Sequence, residues 1–238
     1  VLEPIRQAVI LAAGRGTRMG NMTDEIPKPM LPVRGRPILE YIVERLAAAG
    51  VKRFLIVVGY RHEVIENHFA KWPLAIEFCL QQPVNGTGSA VRLAHTFAAN
   101  EPFLLTWGDI LCDTTEYTRC FEIFAENPAA AAIVAVKAVD DPWQGAAVYE
   151  DHGRIQRIIE KPPKGTSTTH WNSAGFYVFR PIIFDYLARL KPSPRNEYEL
   201  TSAVEAMLED GLDLRISPVQ GDWRDVGRPE DLAAVNTL

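Results

Sequence analysis

The sequence predicts an α/β protein: a doubly wound, mostly parallel mixed sheet flanked by helices. Two observations carry this. Through the first half of the chain, short apolar runs alternate with helix-length amphipathic segments, the rhythm of right-handed β-α-β crossovers. The runs also lack polar alternation, as strands covered on both faces do.

Residues 7–12 (QAVILA) form the first such run. In residues 37–49, Leu39, Ile42, Val43, Leu46 and Ala49 recur at helical spacing, and Gly50 supplies the stop. Residues 54–59 read as a strand, 63–70 as a helix and 74–80 as a third strand. Ala90, Val91, Ala94, Phe97 and Ala98 mark one helix, and residues 103–107 another buried strand. Residues 114–127 read as a helix behind Asp113, which is expected to cap it, with assistance to a metal as its alternative role.

The pattern then becomes β-rich. Residues 130–139, 146–150, 155–160 and 176–179 are strand-like, with a turn at Asp151-His152-Gly153. These predict antiparallel strands added beside the first half. Asn196 and Glu199 bracket a helix start, with Leu200, Val204, Met207 and Leu208 as its apolar face. Residues 162–169 form an exposed Pro/Lys/Gly/Thr-rich loop. A single domain over residues 1–238 is expected, with halves of about 1–128 and 129–238 and no appended domain.

Composition narrows the function. At 47% hydrophobic and 23% charged, the chain suits an ordinary globular core. Its net charge of −5 argues against nucleic-acid or anionic-membrane partners, and no apolar run reaches membrane-spanning length. Cys79, Cys112 and Cys120 are odd in number and lack metal-site spacing. With no export signal in view, a cytoplasmic protein is expected. His62, His68, His95, His152 and His170 are scattered and show no paired ligand spacing.

The chemistry concentrates after the first strand, in "GRGTRM" and "PKPMLPV". Gly14 and Gly16 let backbone N–H groups approach a polyphosphate, and Arg18 and Lys28 add cationic charge. Gly14, Gly16 and Gly20 are spaced G-x-G-x-x-x-G, which is not the dinucleotide fingerprint, and no G-K-S/T sequence offers a P-loop.

The joint stretch "LAAGRGTRM…PKPMLPV" resembles the signature of the sugar-1-phosphate nucleotidylyltransferases, the nucleoside-diphosphate-sugar pyrophosphorylases. The resemblance continues through "LQQPVNGTGSA", "WGDI", "IIEKP", "NSAGFYVF" and "WRDVGRPEDL", covering nearly the entire chain. It implies a Rossmann-like fold whose antiparallel addition lies on the sugar side, and an enzyme joining an NTP and a sugar 1-phosphate with Mg²⁺.

The resemblance also implies residue roles. Leu11, Ala12, Ala13, Gly14, Gly16, Thr17 and Gly108 would wrap the nucleotide, Arg18 would hold the β/γ-phosphates, and Lys28 would bridge the reacting phosphates. Gln81 or Gln82, with Gly86 and nearby Thr87, would read a pyrimidine edge. Gly145, Glu160, Lys161, Asn172 and Ser173 would surround the sugar, and Asp109 and Asp225 would bind Mg²⁺, with Asp109 also catalytic.

Trp143 and Trp171 are further candidates for the sugar ring, with loop packing as their alternative role. The "LAAG" opening with "GTG" resembles uridylyl members, so UTP is the expected nucleotide and dTTP the next. "VVGYRHEVIENHF" resembles cytidylyl and guanylyl branches acting on heptose or non-sugar phosphates. A non-catalytic nucleotide-sugar sensor is the remaining alternative. Oligomeric state is not legible in the sequence.

Overall fold

The computed structural model describes residues 4–237; residues 1–3 and 238 of the expected domain lie outside the described residues. The chain begins with β1 (Gln7–Ala12), two 3₁₀ turns (Thr17–Thr23 and Lys28–Met30) and the short strands β2 (Pro32–Val33) and β3 (Arg36–Pro37). Then come α1 (Ile38–Ala48), β4 (Arg53–Val58), α2 (His62–Phe69) and β5 (Ala75–Leu80). α3 (Thr87–Arg92), α4 (His95–Ala98), β6 (Phe103–Trp107), β7 (Ile110–Cys112) and α5 (Thr114–Glu126) follow. Next are β8 (Ala132–Ala138), β9 (Ala146–Asp151), β10 (Arg154–Glu160) and β11 (Trp171–Phe179). α6 (Ile183–Leu187), α7 (Leu200–Glu209), β12 (Leu214–Pro218), β13 (Trp223–Asp225) and α8 (Pro229–Thr237) come last.

Nine strands form one sheet in the order β5-β4-β1-β6-β11-β8-β12-β10-β9. β5, β4, β1 and β6 are mutually parallel, and β11 lies antiparallel to β6. The chain leaves β1 toward β5, then returns to its other side at β6. That reversal opens a crevice at the carboxyl ends of β1 and β6, where sheets of this type bind ligands.

Side chains of β1 alternate between the two layers. Ala8, Ile10 and Ala12 pack with α1, α2 and α5, whereas Val9 packs with α3, α6 and α7. At the β9–β10 hairpin, His152 and Gly153 both take positive φ, 48° and 80°. This is the two-residue turn whose twist suits antiparallel strands. Among the described residues, no helix is long and apolar enough to cross a membrane.

The structure differs from the sequence reading at three elements. The single helix expected near residues 90–98 is two, because the Leu93 and Ala94 N–H groups bond three residues back, to the Ala90 and Val91 carbonyls. Asn196 does not start α7; it sits in a turn at φ 57°, and the Leu200 N–H donates to Thr87 Oγ1 from another helix. Asp113 occupies the N-cap position of α5, yet its carboxylate makes no capping hydrogen bond.

All three cysteines are free. Burial pushes the Cys112 thiol up to about 12 and the Cys120 thiol well above its ordinary range, while Cys79 is half-buried. Only thiolates react readily with disulfide reagents. A disulfide titrant at pH 8 should therefore find one thiol in the native protein and three after denaturation; rapid reaction of all three natively would contradict this packing.

Candidate active site

The Gly-rich turn begins where β1 ends. Gly16 has φ 72°, and a Cβ there would lie 2.7 Å from Lys28 Cβ. Both its backbone angle and its contact thus require glycine. Around Gly14, by contrast, a Cβ would meet nothing within 4 Å, so its backbone stays open to a ligand.

The Lys28–Met30 turn is wedged beneath this loop. Gly108 N–H donates to Leu11 O at 2.9 Å, and a Cβ on Gly108 would press on Pro29 at 3.1 Å. Lys28 is consequently buried, and its ammonium donates to Asp109 Oδ2. A lysine amid prolines and glycines is thereby held at one point beside a carboxylate.

Asp225, more than a hundred residues later, reaches the same place through the β7–β13 ribbon. Asp225 pairs with Ile110, and Val226 N–H donates to Asp109 O at 3.0 Å. The segment before β13 is anchored by buried Glu116, which accepts the Gln220 and Gly221 N–H groups at 3.1 and 2.9 Å. Trp223 Nε1 donates to Ala174 O at 2.8 Å, tying the ribbon to β11.

Asp225 is exposed along one side, but the protein crowded around its carboxyl, and then the Asp109 charge, push that group up to about 6; Lys28 and Arg18 act against the rise. Two neighbouring carboxylates with one ammonium as counter-ion fit a hard divalent cation. Mg²⁺ accepts one or two protein carboxylates completed by phosphate oxygens and water. Among the described residues, no group of three or more His, Cys, Asp or Glu forms a closed protein cage.

Beside this charge cluster opens a cavity of about 720 Å³. Arg18, Thr87, Asp109 and Asp225 line it, together with all five expected sugar-side residues, Gly145, Glu160, Lys161, Asn172 and Ser173. Glu160 accepts from Thr201 Oγ1 at 2.7 Å and pairs with Arg195 at 3.5 Å. Asn172 donates from Nδ2 to Ser173 O, whereas its buried Oδ1 has no partner. A Cβ at Gly145 would strike that Oδ1 at 2.4 Å, so the glycine makes room for the amide. Ser173 Oγ is 2.6 Å from Tyr177 Oη.

Leu11, Ala12, Ala13, Gly14, Gly16, Thr17, Gln81, Gln82, Gly86 and Gly108 lie outside this lining. Gln81 is buried and spends both amide hydrogens, on Gly86 O at 3.0 Å and Ser89 Oγ at 2.9 Å. Its amide oxygen is left as an acceptor. Gln82 is exposed. The tightness at Gly86 comes from the Tyr198 backbone, 2.3 Å from a Cβ placed there.

The indoles in the cavity wall are Trp107 and Trp223, not Trp143 or Trp171. Trp143 is surface-exposed with Lys164 stacked on it, and Trp171 packs into the core. Trp107 and Trp223 stand in quoted motifs, which was signal enough to find them. Arg228, in the same motif as Trp223, also lines the cavity, as do Lys137, Arg195 and Thr201, which only their tertiary placement reveals.

Comparison with known proteins decides the family. The nucleotidyl transferase family model matches residues 7–238. The chain belongs to that family. It is 38% identical over 231 residues to the bifunctional protein GlmU of Methanococcus aeolicus, covering 97% of this chain and 53% of that protein. The chain thus spans about half the length of this curated relative. To the UTP–glucose-1-phosphate uridylyltransferase AglF of Haloferax volcanii it is 34% identical, over 94% of this chain and 93% of the relative.

Among solved structures, a UDP-glucose pyrophosphorylase complexed with UDP-glucose superposes with a TM-score of 0.89 at 24% identity, covering 98% of this chain and 97% of that one. At that identity the likeness concerns the fold. A putative glucose-1-phosphate thymidylyltransferase from Bacillus anthracis gives 0.83 at 26% identity, covering 98% and 94%.

The raised Asp225 carboxyl has a measurable consequence. An acid whose folded value exceeds its unfolded one costs stability while ionised; that cost is full above about pH 6 and vanishes below the ordinary carboxylate value of about 4. In metal-free protein, Asp225→Asn should raise the melting temperature at pH 7.5, with the gain fading as pH falls through 6 toward 4. A destabilised variant at pH 7.5 would contradict the charge cluster.

Proposed function

We propose that the protein transfers a nucleotidyl group from an NTP, UTP first and dTTP next, to a sugar 1-phosphate, giving an NDP-sugar and pyrophosphate. The observation that carries the reading is the Lys28–Asp109–Asp225 cluster at the carboxyl ends of β1 and β6, beside an open Gly14 backbone.

The nucleophile is the sugar phosphate itself, a dianion near neutral pH because its second pKa is about 6. A phosphate oxygen attacks the α-phosphorus, the bond to the β-phosphate oxygen breaks, and pyrophosphate leaves with the electron pair. No side-chain nucleophile is needed, and no histidine or cysteine among the described residues lines the cavity. The protein's task is to align two polyanions and offset their repulsion.

Lys28 is the fixed cation for the reacting phosphates, and Arg18 holds the β/γ-phosphates. Mg²⁺, held by Asp109 and Asp225 with phosphate oxygens and water, adds charge compensation when bound. Gln81, immobilised by Gly86 and Ser89, offers an acceptor oxygen to the N3–H of uracil or thymine. The name of AglF supports a uridylyl reading. Glu160, Asn172 and Gly145 in one cavity favour a sugar over a non-sugar phosphate acceptor.

A pyrophosphate-release assay over NTPs and sugar 1-phosphates tests this. UTP or dTTP should give the highest kcat/KM, and Lys28→Ala should lower kcat by roughly 10²–10³ with the fold retained. Preference for ATP or GTP would overturn the base assignment. Wild-type turnover in Lys28→Ala would make Lys28 only a counter-ion, and nucleotide-sugar binding without pyrophosphate release would favour a sensor.

A further inference from the structure

One cation in the cavity wall is not required by this reaction. Lys137 lies on β8 directly opposite Asn172 of β11, so the two side chains share the cavity face of the sheet. Its ammonium stands 4.3 Å from the centre of the Trp223 ring, and no carboxylate lies within ion-pair distance among the described residues. Arg195 in the same wall, by contrast, pairs with Glu160, Glu197 and Glu199.

Nor does Lys137 belong to the metal-carboxylate cluster. The charges acting on Asp225 come from Asp109, Lys28, Arg18 and Asp231. Lys137 instead feels burial and the like charge of Arg224, both of which disfavour its protonated form. A half-buried cation of this kind gains from an anionic ligand. The phosphates of the reaction already have Arg18 and Lys28. A half-buried lysine with an exposed arginine at the rim suits an added anionic group on the acceptor.

We propose that Lys137, with Arg224, recognises a carboxylate on the sugar, so that the acceptor is an acidic sugar 1-phosphate. This rests on the nucleotidyl-transfer reading above. Asn172 would hold the ring, and its cross-strand neighbour Lys137 the acidic substituent. The Trp223 face orients the ammonium in the absence of substrate.

The test compares two matched pairs with UTP and Mg²⁺: glucuronate against glucose 1-phosphate, and N-acetylmuramate against N-acetylglucosamine 1-phosphate. The pairs place the carboxylate at C6 or on a C3 ether. At least one acid should exceed its neutral counterpart about tenfold or more in kcat/KM, the scale of one charge-assisted contact. Lys137→Met, which keeps the apolar stem on Trp223, should collapse that ratio; Lys137→Arg should largely restore it.

Neutral sugars preferred in both pairs would overturn the proposal. So would a Lys137→Met variant that loses activity equally on acid and neutral partners, since Lys137 would then serve the common 1-phosphate. A Lys137→Met variant that keeps the wild-type ratio would reduce the residue to a packing partner of Trp223. Pyrophosphate from none of the four substrates, with UTP binding intact, would bring down the nucleotidyl-transfer reading and this proposal with it.

Discussion

Two carboxylates that repel each other, pinned beside one buried ammonium, are the constraint on which this structure turns. Asp225 is held where ionisation is unfavourable, and Asp109 is held against Lys28. On the proposed reading, a divalent cation and phosphates would offset that repulsion.

Much of the surrounding architecture keeps that charge in place. Glycines at positions 16 and 108 let the Lys28–Met30 turn sit against the ends of β1 and β6. The β7–β13 ribbon fixes the spacing of the two aspartates through a backbone hydrogen bond. Glu116, remote from the cavity, sets the ribbon's position by accepting two backbone N–H groups before β13. The supports are main-chain bonds, close packing and the side chains of buried Glu116 and of Trp223.

The parallel half of the sheet was legible because its strands are continuous apolar runs and α1 has clean helical periodicity ending at Gly50. The His152-Gly153 turn was legible from its residue types. What escaped the sequence was set by partners distant along the chain. Thr87 caps α7 across 113 residues, so the local Asn196–Glu199 pattern misled. Trp143 is chemically as suited to a sugar as Trp223, and only the ribbon's docking on β11 selects the latter. Lys137 is an ordinary strand residue until β11 lays Asn172 beside it. The sequence motifs named Asp109 and Asp225, but spacing alone could not bring them together.

On the proposed reading, Asp109 and Asp225 act through one metal ion as a unit. A double-substitution cycle on turnover measures this directly. Asp109→Asn and Asp225→Asn each remove a hard oxygen ligand at nearly constant shape, so each should cripple product formation. If one ion joins them, the double variant should be scarcely slower than either single. Losses that multiply, or single variants near wild-type turnover, would contradict the claim.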